Sequence, residues 1–168
     1  MGNDLGAIAY HEAGHAVAAL VLHRRFRHVT IEPDEDSGGH IAWSLGGPRV
    51  SELANSERRL RARIERGIIV TYAGPLAEAR YTGRKNHVGA RDDYKKALEL
   101  ATFVCDDMAS AEALLASLHQ RAASLVDGNW QAVERLAGSL LECRRLSWRK
   151  ALALRAGDQG GARSVPVS

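Results

Sequence analysis

Residues 9–16 read Ala-Tyr-His-Glu-Ala-Gly-His-Ala and contain His11, Glu12 and His15 in the spacing H-E-x-x-H. Residues four apart are neighbours on one face of a helix, so the two imidazoles can point at a single metal ion. Glu12 projects beside them, where its carboxylate could take a proton from a water molecule that attacks a carbonyl group. The pattern therefore predicts a zinc site with a general base next to it.

The surrounding residues favour the helix that this geometry requires. A first helix is predicted over about residues 5–23, with aliphatic residues near one face and Asn3 or Asp4 as its cap. Gly14 is unusual there, because glycine inside a helix costs about 1 kcal/mol relative to alanine and needs a packing or functional reason. Its presence supports a functional helix over a chance match to the motif.

The remaining pattern predicts a mainly α-helical domain with a small β-hairpin. Segments 29–31 and 40–44 predict two strands, joined by turn residues over 33–39. Gly74-Pro75 is expected to bend or interrupt the second helix, and Ser147 to cap the last one. Helical periodicity covers residues 57–73, 76–80, 92–105, 110–126, 130–141 and 147–154. The C-terminal half is therefore expected to be a helical bundle.

Length and composition fit one globular domain. The chain has 168 residues, 45% of them hydrophobic and 26% charged, which is enough to bury a core and too apolar for a disordered chain. We expect the domain to cover residues 1–155. A disordered tail is expected over residues 156–168, because glycine, serine and polar residues accumulate there.

The net charge, the cysteine spacing and the length of the apolar segments argue against nucleic-acid binding, a cysteine metal site and a membrane span. The formal net charge is only +3, and the arginines between positions 58 and 66 are interleaved with acidic and apolar residues, so no nucleic-acid partner is expected. Cys105 and Cys143 lack the spacing of metal ligands. The longest apolar run, residues 16–22, is too short for a membrane span, and no signal-peptide pattern is present. We therefore expect a cytoplasmic protein.

A catalytic zinc site needs a third protein ligand and leaves its fourth position to water. The metzincin extension is excluded, because it requires glycine at position 18 and histidine at position 21, where this chain has alanine and valine. Glu32 and Glu35 follow His15 closely, but proline and glycine place them in a turn. Asp92 and Asp93 begin the third predicted helix. Spacing alone leaves these acidic residues open as candidates.

Three further features have both a functional and a structural interpretation. Glu78 could accept the second N–H of a ligand imidazole, or form a partly buried salt bridge. His87 could stabilise an oxyanion, although an exposed loop histidine is the commoner interpretation. Strand 40–44 could pair with an extended peptide at the edge of a sheet, or be purely structural.

Five segments resemble, in the same order, segments of the protease domain of the FtsH-type ATP-dependent zinc metalloproteases. They are residues 9–16, residues 28–33 with Gly39, residues 73–78, residues 89–97 and residues 129–142. The fourth, Gly-Ala-Arg-Asp-Asp-Tyr-Lys-Lys-Ala, is similar to the family's T-G-A-x-x-D-L-x-x-A-T stretch, with Val88 and Leu98 where the family has threonine. The resemblance spans about residues 7–154.

The resemblance implies a zincin-like fold and assigns the remaining site residue. In that family the third ligand is the aspartate three residues after the Gly-Ala pair, which is Asp93 here, with Asp92 as the alternative one residue earlier. Together with His11 and His15 it would hold Zn²⁺, and Glu12 would be the catalytic base.

The implied activity is that of a zinc metalloendopeptidase acting on unfolded or loosely folded polypeptides. Family members carry an ATPase module, whereas this sequence has no G-x-x-x-x-G-K-[ST] phosphate loop, so we expect activity without ATP or a separate ATPase/unfoldase as partner. Family members form hexamers, which makes a homo-oligomer the corresponding expectation. The alternative hypothesis is a non-catalytic zinc-binding regulatory or assembly module that partners an ATPase, with a further ligand such as His87 closing the coordination sphere.

Overall fold

The computed structural model describes residues 4–33, 39–43, 57–87 and 89–157. In chain order these residues form α1 (Leu5–Val21), β1 (Phe26–Thr30), β2 (His40–Trp43), α2 (Glu57–Thr82), α3 (Arg91–Thr102), α4 (Met108–Gly128), α5 (Trp130–Cys143), β3 (Arg145–Ser147) and α6 (Trp148–Ala156). Helices dominate, and the strands form one antiparallel sheet. The predicted fold class, mainly α with a small sheet, is confirmed.

Helix α1 is the central element because its alanine-rich surface lets other helices approach it on several sides. It packs against α2 and α5, and it also contacts the sheet. Its first turn is capped by Asp4, whose side chain accepts a hydrogen bond from the backbone N–H of Gly6 at 3.0 Å. The helix ends at Val21, and His23, with a left-handed φ of 55°, turns the chain toward β1.

Helices α1 and α2 approach closely where small residues face each other. A Cβ atom on Gly14 would overlap the backbone carbonyl of Ala73 and lie 2.6 Å from the Cβ of Ala77. Both alanines are fully buried. Gly14 therefore has a packing reason to interrupt an otherwise favourable helical sequence, since a side chain there would push the two helices apart.

The sheet has the strand order β2-β1-β3, so β1 is its central strand. It pairs antiparallel with β2, Thr30 opposite His40, and with β3, Val29 opposite Leu146. The predicted hairpin is confirmed. The sequence analysis does not predict β3, because three residues are too few to show the alternation that marks a strand. Within the described residues, the outer edge of β2 pairs with no other strand.

Two apolar clusters stabilise the fold, and α2 contributes to both. The first joins α1, the sheet, α5 and α6, and the second joins α2, α3 and α4. Val70 and Ala73 of α2 belong to the first cluster, whereas Ile68 and Tyr72 belong to the second. Because α2 is buried on two sides, its position is coupled to the packing of the whole domain.

Packing also explains where the predicted elements differ from the observed ones. Helix α2 runs through Gly74-Pro75 without interruption, so the predicted interruption there is wrong, whereas the alternative of a bend stays a prediction. The burial of both residues between neighbouring helices holds the helix through a proline that lacks an N–H group. The remaining helix ends differ from prediction by a few residues. Ala156 ends α6 in helical conformation and Gly157 caps it, so the predicted tail does not begin at residue 156.

Some predictions concern residues outside the described ranges, among them Asn3, residues 34–38 of the turn with Glu35, and Ser44. The extent of the domain, residues 1–155, stays a prediction. In the ranges that are described, no helix combines the length and the apolar character needed to cross a membrane.

Replacement of Gly14 by alanine tests the close approach of α1 and α2. Alanine is the better helix former by about 1 kcal/mol, but the overlap with Ala73 costs about 1–3 kcal/mol. We expect Gly14→Ala to lower the free energy of unfolding by up to about 2 kcal/mol in urea denaturation.

The matched control is Gly138→Ala in α5, where an added Cβ meets no atom within 4 Å. This variant should gain about 0.5–1 kcal/mol from helix propensity alone. Equal stabilisation of both variants would show that α1 and α2 have room for a side chain at position 14.

Candidate metal centre

Side chains from two helices meet at one point of the structure. The Nε2 atom of His11 lies 3.1 Å from His15 Nε2 and 3.1 Å from Asp93 Oδ2, and His15 Nε2 lies 3.6 Å from the same oxygen. One potential ligand atom from each residue lies within 4.8 Å of the other two. Two imidazole nitrogens and one carboxylate oxygen form a donor set suited to zinc, with a position left for water.

The opposite nitrogen of each imidazole is bound by helix α2. His11 Nδ1 lies 2.9 Å from Glu78 Oε2, and His15 Nδ1 lies 2.7 Å from the carbonyl oxygen of Val70. Carbonyl and carboxylate oxygens only accept hydrogen bonds, so each Nδ1 donates. Each Nε2 is thereby directed toward Asp93, where a metal ion that displaces the Nε2 proton would find its lone pair. Glu78 thus accepts a hydrogen bond from the imidazole of His11, as the functional one of its two interpretations predicts.

The backbone of α2 also leaves room for one of these rings. A Cβ atom on Gly74 would overlap the imidazole of His15. The lack of a side chain at this position lets the ring lie flat against the helix, within reach of the Val70 carbonyl one turn earlier. Position 74 is therefore a glycine because a side chain there would displace the ring of His15, and not because the chain turns at this point.

Glu12 lies next to the group but is not part of it. Its side chain is buried, with 6% of the residue exposed, and the start of β2 covers it. A Cβ atom on Gly39 would lie 2.9 Å from Glu12 Cγ. Burial raises the pKa of Glu12, whereas the neighbouring His15 and His11 work in the opposite direction. The carboxylate thereby gains basicity beside the metal ligands.

The charges of the ligand residues compensate one another. Burial disfavours the protonated form of His11, but hydrogen bonds to Asp93 and Glu78 outweigh it and raise its pKa to about 10. Burial likewise disfavours the Asp93 carboxylate, yet hydrogen bonds from His11 and His15 hold its pKa below the ordinary value. The site is therefore built around carboxylates that remain ionised and can balance a cation.

Asn86 connects two parts of the site that are distant in sequence. Its Nδ2 group donates to Glu78 Oε1 at 2.8 Å, and its Oδ1 accepts from the backbone N–H of Gly89 at 2.9 Å. Its own carbonyl accepts from the N–H of Ala90, at the start of α3. Asn86 thus joins the partner of His11 to the residues just before α3, the helix that carries Asp93. No sequence pattern predicts this role of Asn86, because an asparagine in a loop belongs to no recognisable motif.

The other candidate ligands lie outside the group. Asp92 is exposed, one position before the half-buried Asp93. The Glu32 carboxylate lies 3.4 Å from the hydroxyl of Thr30, and His87 is exposed in its loop. In the part of the chain that the structure describes, only His11, His15 and Asp93 form a cluster of at least three potential ligands.

Asn86→Ala tests whether this network affects metal affinity. Loss of the hydrogen bond to Glu78 frees that carboxylate and loosens the loop before Asp93, at a cost of about 1 kcal/mol. We expect the zinc dissociation constant to rise about fivefold, measured by competition with a chromophoric chelator at constant pH.

Asn129→Ala is the matched control, because Asn129 Nδ2 also donates one hydrogen bond, to the carbonyl of Leu125, but at the junction of α4 and α5. This variant should leave the zinc affinity unchanged. The same loss of affinity in both variants would mean that general destabilisation, and not the link to Glu78, is being measured.

Comparison with known proteins places this geometry in a family. The model of peptidase family M41 matches residues 3–108. The ATP-dependent zinc metalloprotease FtsH of Mycoplasma mobile is 37% identical over 101 residues, covering 58% of this chain and 13% of that protein. FtsH of Mycoplasmopsis pulmonis is 34% identical over the same length, with the same coverage of both chains. FtsH of Streptococcus pneumoniae serotype 4 is 24% identical over 179 residues, covering 88% of this chain and 27% of that protein.

This chain spans only 13% to 27% of the length of these relatives. The matched part nevertheless includes α1, the hairpin, α2 and α3, which are the elements that form the metal centre. Since the family model covers more than half of the chain, the protein belongs to peptidase family M41, a family of zinc metalloproteases with a zincin-like protease domain.

Proposed function

We propose that this chain is a zinc-dependent endopeptidase in which His11, His15 and Asp93 hold the metal and Glu12 is the general base. The observation that carries the proposal is the convergence of these four side chains, three with ligand atoms within 4.8 Å of one another and one buried beside them. Zinc bound there would supply the positive charge that acidifies a water molecule and polarises a peptide carbonyl.

Glu12 performs the proton transfers. Its carboxylate accepts a proton from water as the water oxygen forms a bond to the carbonyl carbon of the substrate. The same proton then passes to the amide nitrogen as the carbon–nitrogen bond breaks, which releases a neutral amine and a carboxylic acid. The raised pKa of Glu12, caused by burial, suits both steps, because the group must first take up a proton and then hold it.

The edge of β2 supports an extended polypeptide as the substrate. Its first residue, His40, follows Gly39, which lies directly over Glu12. An extended segment that pairs with this edge would form backbone hydrogen bonds that do not depend on its sequence. Only an unfolded or loosely folded chain can offer such a segment, so we assign that class of substrate.

The relatives are described as ATP-dependent, and delivery of unfolded chains is the natural contribution of an ATPase. We propose that an ATPase/unfoldase module, on the same or on another polypeptide, supplies substrates to this domain. Assembly into a homo-oligomer stays a prediction from the family resemblance.

The alternative, a non-catalytic zinc module, requires a closed coordination sphere or the loss of the base. His87, the residue considered for closing the sphere, is exposed and does not belong to the ligand group. Glu12 is present and buried beside the ligands. Neither observation favours the alternative, and we therefore assign the catalytic function.

Glu12→Gln separates catalysis from metal binding. The amide keeps the size of the side chain but cannot take the proton, so cleavage of a fluorescently labelled unfolded protein should fall by about 10²–10⁴-fold. Zinc content, measured by elemental analysis, should stay at one ion per chain. A chelator should abolish cleavage by the unmodified protein, and normal cleavage by the variant would exclude Glu12 as the base.

Asp93→Asn tests the third ligand, with Asp92→Asn as its matched control. Both changes remove one charge from the first turn of α3. Because Asp93 contacts both imidazoles whereas Asp92 is exposed, only Asp93→Asn should raise the zinc dissociation constant, by more than about 100-fold. The reverse result would assign the ligand to Asp92.

A further inference from the structure

Arg24 is held in a fixed place between α1 and β1. Its backbone N–H donates to the carbonyl of Ala19 at 2.8 Å, directly after the left-handed turn at His23. The guanidinium lies over the indole of Trp43, with Cζ 4.8 Å from the ring centroid. Arg24 Nη1 also lies 2.9 Å from the point where a Cβ atom of Gly67 would stand. The charged group is thus packed between the end of β2 and helix α2.

The charge of Arg24 has no carboxylate partner among the described residues. Arg63 and Arg66 of α2 are close enough to repel its positive charge. Burial, and then these two arginines, lower the pKa of Arg24 from its ordinary value. Three positive groups placed together repel one another unless an anion lies between them.

Strand β2 and helix α3 both extend from the neighbourhood of the candidate metal centre toward Arg24, each over about 10 Å. Along β2, Trp43 follows His40 by three residues, which is about 10 Å in a strand. Along α3, Leu100 follows Asp93 by seven residues, which is about 10 Å in a helix. Leu100 Cδ1 lies 3.5 Å from the same Gly67 position that Arg24 contacts. Arg24 and Trp43 therefore lie at the end of β2 that is away from Gly39 and Glu12.

We propose that Arg24, together with Arg63 and Arg66, forms an anion-binding subsite that receives a carboxylate side chain of the polypeptide bound along β2, about three residues from the cleaved bond. The proposal rests on the endopeptidase function proposed above and adds a sequence preference to it. Arg24 acts on substrate binding and takes no part in bond cleavage.

A peptide carboxylate fits this subsite better than other anions because of what surrounds it. Among the residues that the structure describes, no strand pairs with the outer edge of β2, so its backbone N–H and C=O groups are available to an extended peptide. Guanidinium groups match a carboxylate with two parallel hydrogen bonds. The indole of Trp43, 41% exposed, adds an apolar surface for the methylene groups of glutamate.

The test uses a labelled decapeptide of neutral sequence in which each position in turn carries either glutamate or glutamine. Cleavage by the unmodified protein gives kcat and KM for each pair. Fluorescence anisotropy with Glu12→Gln gives the dissociation constant without turnover. At one position, about three residues from the cleaved bond, we expect glutamate to lower KM and the dissociation constant about tenfold, with kcat unchanged. The preference should shrink in 1 M NaCl.

Arg24→Gln should reduce this preference to about twofold or less, and Arg24→Lys should retain part of it. The matched control is Arg25→Gln, which removes the same charge from the next residue, an exposed arginine that lines a separate groove with Phe26 and Trp148. It should leave the preference intact. If Arg24→Gln does not fold, the double variant Arg63→Gln/Arg66→Gln, at two exposed positions, should lower the preference about threefold.

The outcomes separate this proposal from the one on which it rests. Cleavage without any difference between glutamate and glutamine would overturn the subsite and leave the endopeptidase function standing. Arg24-dependent binding of a glutamate peptide without any cleavage would support the subsite and overturn the endopeptidase function. An equal loss of preference in Arg25→Gln would overturn the subsite in favour of a general charge effect. Absence of any peptide binding would overturn both proposals.

Discussion

The close approach of α1 and α2 is the constraint on which the metal centre depends. Gly14 lets the helices meet, and Gly74 lets the ring of His15 lie against α2. At that separation the Val70 carbonyl and the Glu78 carboxylate reach the Nδ1 atoms of both imidazoles. A spacing wider by one methyl group would lengthen these hydrogen bonds and free the rings. The packing of two helices thus sets the orientation of the two histidines that we propose as metal ligands.

The proposed third ligand, Asp93, depends on a different set of contacts. Asp93 is carried by α3, which belongs to the second apolar cluster, whereas both histidines are carried by α1, which belongs to the first. Helix α2 contributes to both clusters, and Asn86 joins its residue Glu78 to the loop before α3. The relative position of the three ligands is therefore determined by α2, although none of them lies on it.

The sequence was informative where the chemistry is local and uninformative where it depends on tertiary contacts. The H-E-x-x-H spacing, the cap at Asp4 and the anomaly of Gly14 follow from the geometry of one helix, and each could be predicted. Asp93 could be preferred over Asp92 only through a family resemblance, because its contact with His11 spans 82 positions in the chain. Asn86 and the Val70 carbonyl act through positions in the fold that no local pattern encodes. The possible interruption at Pro75 is wrong for the same reason, since packing on both sides of α2 outweighs the local preference.

Strand β2 has two roles: its start covers Glu12, and its outer edge is available to a substrate. Its start covers Glu12, and the resulting burial raises the pKa of that carboxylate. Its outer edge is unpaired within the described residues, and a substrate bound as we propose would pair with it. A shift of β2 away from α1 would hydrate Glu12 and at the same time displace the edge that aligns the peptide. Because Gly39 is in contact with both Glu12 and the backbone of Thr30, the position of β2 is limited by the helix on one side and the central strand on the other. The basicity of Glu12 and the alignment of a substrate therefore depend on the same contact.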